Sequence, residues 1–180
     1  MCIRDSGSGH AVLLLANAFP NSSFVGIDFS DDGLEAARLE ADAIGATNVE
    51  FIGIDAAAMD IDAKFDFVTS FDAIHDQAHP AAVLANIEKS LVPGGYYLCA
   101  EPRAHTLLKD NMAEPMAPYQ YTISTMHCMS VSIAGGGEGL GTCWGATMAE
   151  EYLTAAGLTH LETIDIKADR ANTYFLTQKA

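Results

Sequence analysis

The chain has 180 residues, with 24 acidic side chains against 9 basic ones and a formal net charge of −15. This length suits one domain with its own apolar core. The acidic balance argues against nucleic acid and against anionic membrane surfaces as partners, because both attract clustered Lys and Arg. No apolar run reaches the roughly 20 residues of a membrane-spanning helix.

The cysteines are Cys2, Cys99, Cys128 and Cys143. They form no CxxC pair, and no Cys and His residues have the spacing of a zinc finger. This pattern predicts reduced thiols and a cytoplasmic protein.

Residues 1–6 read Met-Cys-Ile-Arg-Asp-Ser, the hexapeptide that a transposase adapter of sequencing libraries encodes. We expect these residues to be foreign, native sequence to begin near Gly7, and upstream protein to be missing. A native N-terminus is a second interpretation. A secretory signal is a third, and it is disfavoured because its apolar stretch is short and Asp5 lies where positive charge belongs.

Helical and strand patterns then alternate along the chain. Ser30 and Gly45 predict the start and the end of the second helix. The predicted helices cover residues 10–19, 31–44, 80–91 and 148–156, and the predicted strands cover 23–28, 49–54, 64–71, 96–100, 161–166 and 174–177. This alternation predicts an α/β fold with a mostly parallel sheet, and the last two strands are expected to form an antiparallel hairpin.

The first strand is the element that the sequence does not supply. In doubly wound nucleotide-binding folds, a glycine-rich turn follows the first, central strand. Here Gly7-Ser8-Gly9 follows only residues 1–6, which have no apolar strand pattern beyond Ile3. We therefore predict a sheet truncated at its first strand, whose neighbours would lie about 10 Å apart.

Three positions predict a ligand crevice at one edge of this sheet. Gly7 and Gly9 precede a helix, whose N-terminus favours negative charge. Asp28 ends the next strand about 20 residues later, where a carboxylate can accept both hydroxyls of a ribose. Asp55 ends the following strand at the same edge. Val12 occupies the third glycine position of a dinucleotide motif, which disfavours a nicotinamide-dependent enzyme.

Five stretches in this order carry a family resemblance. They are Gly-Ser-Gly-His at 7–10, Phe-Val-Gly-Ile-Asp-Phe-Ser at 24–30, Ile-Asp-Ala at 54–56, Phe-Asp-Phe-Val-Thr-Ser-Phe-Asp at 65–72 and Leu-Val-Pro-Gly-Gly at 91–95. The chain resembles the class I S-adenosylmethionine-dependent methyltransferases. The resemblance implies a Rossmann-like doubly wound sheet and S-adenosyl-L-methionine as the cofactor.

The resemblance also implies roles for individual residues. It places Gly7 and Gly9 near the methionine part of the cofactor, Asp28 on the ribose, Phe29 near the adenine, Asp55 on the adenine amino group with Ala56 beside it, and Phe71 and Asp72 facing the methyl-transfer centre. The acidic residue that opens the family's glycine motif is absent, since Ile3 aligns with it.

The second half is expected to hold the acceptor, with residues 101–145 as a substrate-side insertion in a catalytic domain spanning 7–180. Residues 119–130 mix aromatic, Met, His and small polar side chains without charge. They form either a core helix or a wall of the acceptor pocket. The glycine-rich residues 135–141 are interpreted as a mobile lid or a connector.

This insertion, together with residues 71–80, is similar to bacterial methyltransferases that carry an N-terminal winged-helix domain. We expect the chain to lack that domain. The resemblance implies that it mediates formation of a homodimer in the full-length protein.

Two histidines are candidate catalytic residues. His75 or His127 can act as a general base, because imidazole titrates near neutral pH. Alternatively, methyl transfer needs only proximity and orientation of a nucleophilic acceptor. The sequence leaves both alternatives open.

His75 and His79 lie four residues apart beside Asp72 and Asp76, a spacing that would allow a metal clamp on a helix. The interpretation that we favour is that this segment caps the helix near Pro80 and borders the cofactor. We therefore predict no metal.

The predicted function is methyl transfer from S-adenosyl-L-methionine to an unidentified small-molecule acceptor. A nicotinamide-dependent oxidoreductase is one alternative. A non-catalytic module that keeps the cofactor fold for binding or dimerisation is the other.

Overall fold

The computed structural model describes the backbone of residues 2–4 and all of residues 9–180. Gly7, one of the predicted cofactor-binding residues, lies outside the described residues. Among the described residues, no helix combines the length and the apolar character that a membrane span requires.

The described residues form one seven-stranded sheet in the order β3-β2-β1-β4-β5-β7-β6. The strands are β1 (Cys2–Arg4), β2 (Phe24–Asp28), β3 (Val49–Gly53), β4 (Phe65–Phe71), β5 (Leu91–Pro102), β6 (Leu158–Ile164) and β7 (Asn172–Lys179). Strands β1 to β5 pair in parallel, whereas β7 runs antiparallel to β5 and to β6. This arrangement confirms the predicted doubly wound sheet with an antiparallel hairpin at its end.

The expectation that the first strand leaves an empty place is wrong. Cys2–Arg4 lies between β2 and β4, with Ile3 opposite both Gly26 and Thr69. Sequence patterning misses this strand because backbone pairing requires an extended chain and no particular apolar periodicity. Pairing begins at Val25 and Val68, so β2 and β4 both extend beyond β1 at their N-terminal ends.

The helices are α1 (His10–Ala18), α2 (Asp31–Ile44), α3 (Pro80–Ser90), α4 (Leu108–Asn111), α5 (Ala117–Ile123), α6 (Met129–Ala134) and α7 (Gly145–Ala155), with a 3-10 turn at Ala56–Ala58 and a π-helical segment at Ser124–Cys128. The predicted limits of α2 are confirmed. The Ser30 hydroxyl accepts a hydrogen bond from the Gly33 amide, and Gly45 ends the helix with a φ of 68°.

Two apolar clusters cover the two faces of the sheet. Phe24 packs with Val12 and Leu13 of α1, whereas its neighbour Val25 belongs to the cluster that contains Val83 of α3 and Leu153 of α7. Because successive side chains of a strand point to opposite faces, α1 and α3 lie on opposite sides of the sheet.

Strand β5 begins earlier than predicted. Residues 92–95 were expected to separate a helix from a strand at Tyr96, but β5 begins at Leu91. Leu91 pairs with Phe65 and Tyr96 pairs with Phe67, so β5 carries extra residues over this interval. The Pro-Gly-Gly sequence therefore forms a bulge inside the strand and does not end it.

The insertion is mainly helical, from α4 to α6. Its glycine-rich stretch packs closely against the loop before α3, where the Glu138 amide donates to the Ala78 carbonyl at 3.1 Å. A Cβ on Gly137 would lie 2.3 Å from the Ala78 Cα atom. These contacts favour the connector over the lid as the interpretation of this stretch.

Candidate functional site

Asp28 and Asp55 lie at neighbouring strand ends, as the sequence predicts. The Ile54 amide donates to the Asp28 carbonyl at 2.9 Å, which joins the ends of β2 and β3. Asp28 is buried, and its Oδ1 accepts the Ser30 amide at 2.8 Å. Asp55 is exposed, and its Oδ1 accepts the Ala57 amide at 2.8 Å. In both cases a backbone donor two residues later fixes the carboxylate at the edge of the sheet.

An exposed aromatic ring and a buried small residue accompany these carboxylates. Phe29 follows Asp28 directly and is 71% exposed, which is unusual for a large apolar side chain. Ala56 follows Asp55 and is buried. The edge therefore offers carboxylate acceptors and an apolar ring within two short turns.

Gly9 lies at the N-terminal end of α1 with a φ of 76°. A Cβ atom there would lie 2.6 Å from the Cβ of Ala37 and 3.0 Å from the ring of Phe51. The structure thus gives Gly9 a packing role, since it lets α1 approach α2 and β3. Its cofactor role stays a prediction.

Phe71 and Asp72 lie where β4 ends. Phe71 is 38% exposed, and Asp72 adopts a φ of 49°, which is uncommon for a residue with a Cβ. The Asp72 amide donates to the Ala100 carbonyl of β5 at 2.9 Å. Burial of the carboxyl group, followed by the nearby Glu101 charge, raises the pKa of Asp72.

Glu101 is a buried carboxylate at the end of β5 that the sequence analysis missed. One oxygen accepts the amides of Ala73 and Ile74 at 3.2 and 2.9 Å, and the other lies 2.6 Å from His75 Nδ1. Glu101 therefore fixes both the loop after β4 and the orientation of the imidazole. The available signal was an acidic residue that closes an otherwise apolar strand.

His75 lies between two carboxylates. Its Nε2 is 3.0 Å from Asp76 Oδ1, opposite the contact with Glu101. Burial alone would lower the pKa of His75, but the contacts with Asp76 and Glu101 outweigh burial and raise it to about 11. These two contacts favour the protonated ring, and the role of His75 as a general base stays a prediction.

The two other histidines that the sequence singled out are exposed, whereas His75 is buried. His127 is exposed in the π-helical segment, and His79 is exposed at the start of α3. The residue that joins His75 and Asp76 is instead Cys128, which is buried next to Thr142 at 3.1 Å. His75, Asp76 and Cys128 are the described residues that could together hold a metal ion.

A cavity of about 720 Å³ opens elsewhere on the sheet. Phe24 and Val25 of β2, Phe67 of β4 and Leu15 of α1 line it. Of the predicted site residues that the structure describes, Phe71 alone borders it. The cavity lies mainly beside the N-terminal parts of β2 and β4, away from the edge that carries Asp28 and Asp55.

Residues 5–157 match the methyltransferase domain family. The chain belongs to this family. The match covers most of the chain, and it confirms the resemblance that the five sequence stretches indicate.

Curated relatives match about half of this methyltransferase-family chain. A ubiquinone biosynthesis O-methyltransferase from Leptothrix cholodnii is 30% identical over 96 residues, which are 52% of this chain and 41% of the relative. A demethylmenaquinone methyltransferase from Thermus thermophilus is 33% identical over 97 residues, which are 53% and 44% of the two chains. The chain thus spans about two fifths of the length of these relatives.

Solved structures share the fold over nearly the whole chain. An O-methyltransferase family 2 protein from Planctomyces limnophilus, solved with apigenin, has a TM-score of 0.76 at 18% identity and covers 99% of this chain and 50% of its own. The cyclase SpnF has a TM-score of 0.75 at 15% identity and covers 99% and 73%. Such low identities show the fold alone, and the cyclase illustrates that one fold hosts different reactions.

Proposed function

We propose that this chain carries the catalytic part of an S-adenosyl-L-methionine-dependent methyltransferase that acts on a small-molecule acceptor. The observation that carries the proposal is the pair of anchored carboxylates, Asp28 and Asp55, at adjacent strand ends in a chain of the methyltransferase domain family. Ligands of open α/β sheets bind outside the carboxyl ends of the strands, which is where this pair lies.

The residues at this edge fit the adenosine part of the cofactor. A ribose presents two hydroxyl donors, and the buried Asp28 carboxylate supplies acceptors for them. The exposed ring of Phe29 offers an apolar surface for a purine, and Asp55 offers an acceptor for an exocyclic amine. When bound, the cofactor supplies an electrophilic methyl group on a sulfonium.

Orientation of the acceptor is the catalytic contribution that this chain's residues support best. Glu101 accepts the amides of Ala73 and Ile74 and contacts His75, so the loop after β4 is held in a fixed position beside the reaction edge. Holding two reactants in line can supply several kcal/mol, on the order of 7–11 kcal/mol in well-oriented model reactions. An acceptor that is already nucleophilic needs no further base.

The names of the relatives and the uncharged segment 119–130 support one class of acceptor. The curated relatives are named for ubiquinone and menaquinone biosynthesis, and the solved relative from Planctomyces limnophilus contains apigenin. The uncharged segment 119–130 suits an apolar ring-bearing molecule better than a charged one. We therefore propose a hydroxylated aromatic compound as the acceptor.

Calorimetry tests this proposal directly. We expect S-adenosylhomocysteine to bind the chain and NAD to give no heat of binding, because the edge lacks the third glycine of a dinucleotide site. Binding of NAD in preference to S-adenosylhomocysteine would reject the proposal. Binding of S-adenosylhomocysteine without methyl transfer to any of a panel of hydroxylated quinols and flavones would favour the non-catalytic module.

A further inference from the structure

We propose that His75, Asp76 and Cys128 bind one divalent transition-metal ion of the zinc type. Two separate elements supply these residues. His75 and Asp76 belong to the loop between β4 and α3, and Cys128 ends the π-helical segment of the insertion. The inference concerns metal binding alone and does not rest on the proposed methyl transfer.

The donor atoms have nearly the spacing that a bound ion needs. One donor atom from each of the three residues lies within 4.8 Å of the other two. Tetrahedral zinc with bonds of about 2.0–2.3 Å separates neighbouring ligand atoms by roughly 3.3–3.7 Å. An ion could therefore draw the three groups together through small side-chain movements, without a change in the fold.

The helix that provides Cys128 has an irregular turn at this point. Residues Ser124–Cys128 form a π-helical segment, a rare geometry that occurs frequently at functional sites. Within it, Ser124 and Cys128 are buried, whereas Met126 is 75% exposed. The last residue of the irregular turn, Cys128, therefore places its thiol in the interior beside His75 and Asp76.

Glu101 prepares the imidazole for metal binding. It engages His75 Nδ1 at 2.6 Å, which directs Nε2 towards Asp76. Metal-binding histidines usually donate their other ring N–H to a carboxylate in this way, which fixes the tautomer and the ring orientation. Glu101 is itself held by the Ala73 and Ile74 amides, so the whole arrangement is preorganised.

Asp76 contributes an oxygen that already faces the imidazole. Its Oδ1 is shielded from solvent and lies 3.0 Å from His75 Nε2. A cation bound by both atoms would need only a small separation of the two side chains.

The donor types select the class of metal. Thiolate, imidazole and carboxylate ligands together suit zinc, whereas magnesium and calcium take oxygen ligands. Thr142 lies 3.1 Å from Cys128 Sγ and can donate a hydrogen bond to the thiolate. Three protein ligands leave a fourth position open, which is typical of zinc sites that bind water or substrate.

Metal titration of the chelator-treated chain tests the site. We expect one Zn²⁺ per chain by calorimetry, and a thiolate-to-metal absorption band when Co²⁺ replaces it. Cys128→Ser and Asp76→Asn should each weaken Zn²⁺ binding at least about tenfold, the smallest loss that changes around metal ligands usually cause. The exposed His79 and His10 provide controls, His79→Ala and His10→Ala, which should bind as the parent does.

Glu101→Gln separates a metal site from a purely structural cluster. The amide oxygen of the glutamine can still accept the hydrogen bonds of the Ala73 and Ile74 amides. Its NH2 group then faces His75 Nδ1 and donates to it. The imidazole proton therefore stays on Nε2, the atom that would bind the metal. We expect this variant to fold, as judged by circular dichroism, and to bind Zn²⁺ about 10–100-fold more weakly.

Three results would overturn the assignment: no saturable Zn²⁺ binding, a Co²⁺ spectrum without a thiolate band, or equal losses in the control variants. S-adenosylhomocysteine binding, measured on the same samples, reports separately on the proposed function.

Discussion

At the scale of single residues, the candidate cofactor edge depends on two carboxylates that backbone amides hold in place. Asp28 and Asp55 could be predicted because each ends a strand, and strand ends are readable in an alternating pattern. The burial of Glu101 and its contact with His75 could not be predicted. Its partner His75 is 26 residues away, and only tertiary packing decides whether an acidic residue becomes buried.

Asp28→Asn should weaken S-adenosylhomocysteine binding by about 1–3 kcal/mol, because an amide in place of one carboxylate oxygen leaves a ribose hydroxyl without its acceptor. The amide oxygen can still accept the Ser30 N–H, so the local turn should persist. Isothermal titration calorimetry measures the change. Asp32→Asn, at an exposed position in the first turn of α2, is the control. A dissociation constant unchanged in both variants would refute the ribose role of Asp28.

Gly9→Ala should destabilise the fold more than Gly45→Ala does. Both positions have positive φ angles, 76° and 68°, so both substitutions cost roughly 1–2 kcal/mol in backbone strain. Only the new methyl group at position 9 meets other atoms, 2.6 Å from Ala37 Cβ, which adds about 1–3 kcal/mol of overpacking. Urea unfolding gives both free energies. Equal losses would mean that close packing at Gly9 is unimportant.

At the scale of elements, apolar periodicity located most helices and strands and failed in the insertion. The residues that α5, α6 and the π-helical segment bury include Ser124, Cys128 and Ser132, which carry little apolar signal. The beginning of β5 was missed for a related reason, since its Pro-Gly-Gly sequence resembles a terminator but forms a bulge. In both places tertiary packing outweighs the local pattern.

The β6–β7 hairpin contains a tyrosine–carboxylate pair with a defined pH response. Tyr174 donates to Asp169 Oδ2 at 2.7 Å. This hydrogen bond is the main reason why the pKa of Asp169 is lowered and the pKa of Tyr174 is raised to about 12. The contribution of this pair to the free energy of unfolding should therefore be lost at acid pH, because Asp169 becomes protonated. On the alkaline side the contribution should be complete below pH about 10 and should be lost as the pH rises towards about 12, because Tyr174 loses its proton.

Comparison with Tyr174→Phe across pH checks this response. The parent should exceed the variant in free energy of urea unfolding near neutral pH, and the difference should shrink at low pH as Asp169 becomes protonated. Tyr96→Phe, at an exposed tyrosine of β5, is the control and should show no such dependence. A difference that stays constant down to strongly acid pH would contradict the assigned pair.

At the scale of the whole molecule, the sheet order and the two apolar clusters agree with the fold that the alternating pattern predicts. The sequence pattern did not predict the central strand, β1. Three residues without an apolar pattern complete the sheet through backbone pairing, with Ile3 opposite Gly26 and Thr69. A strand that short has no periodicity from which it could be recognised.

The larger cluster should dominate stability. Leu153 of α7 is completely buried against it, so Leu153→Ala should cost about 2–5 kcal/mol through lost burial and the cavity left behind. Leu161→Ala, at a 46% exposed position of β6, should cost less than about 1 kcal/mol. Thermal and urea unfolding measure both changes. Similar losses in the two variants would argue against this assignment of the core.

The position of β1 sets the order in which the sheet can be completed. Cys2 pairs with Val25 and with Val68, and Val68 lies 66 residues later in the chain (68 − 2). During synthesis, Cys2–Arg4 therefore leaves the ribosome before β2 and long before β4, yet it needs both strands in place to bond on its two sides. Bringing Cys2 and Val68 together closes a long loop, and the entropic cost of closing it precedes the stabilising contacts. We therefore expect the centre of the sheet to be completed only once β4 is available to pair with Cys2–Arg4.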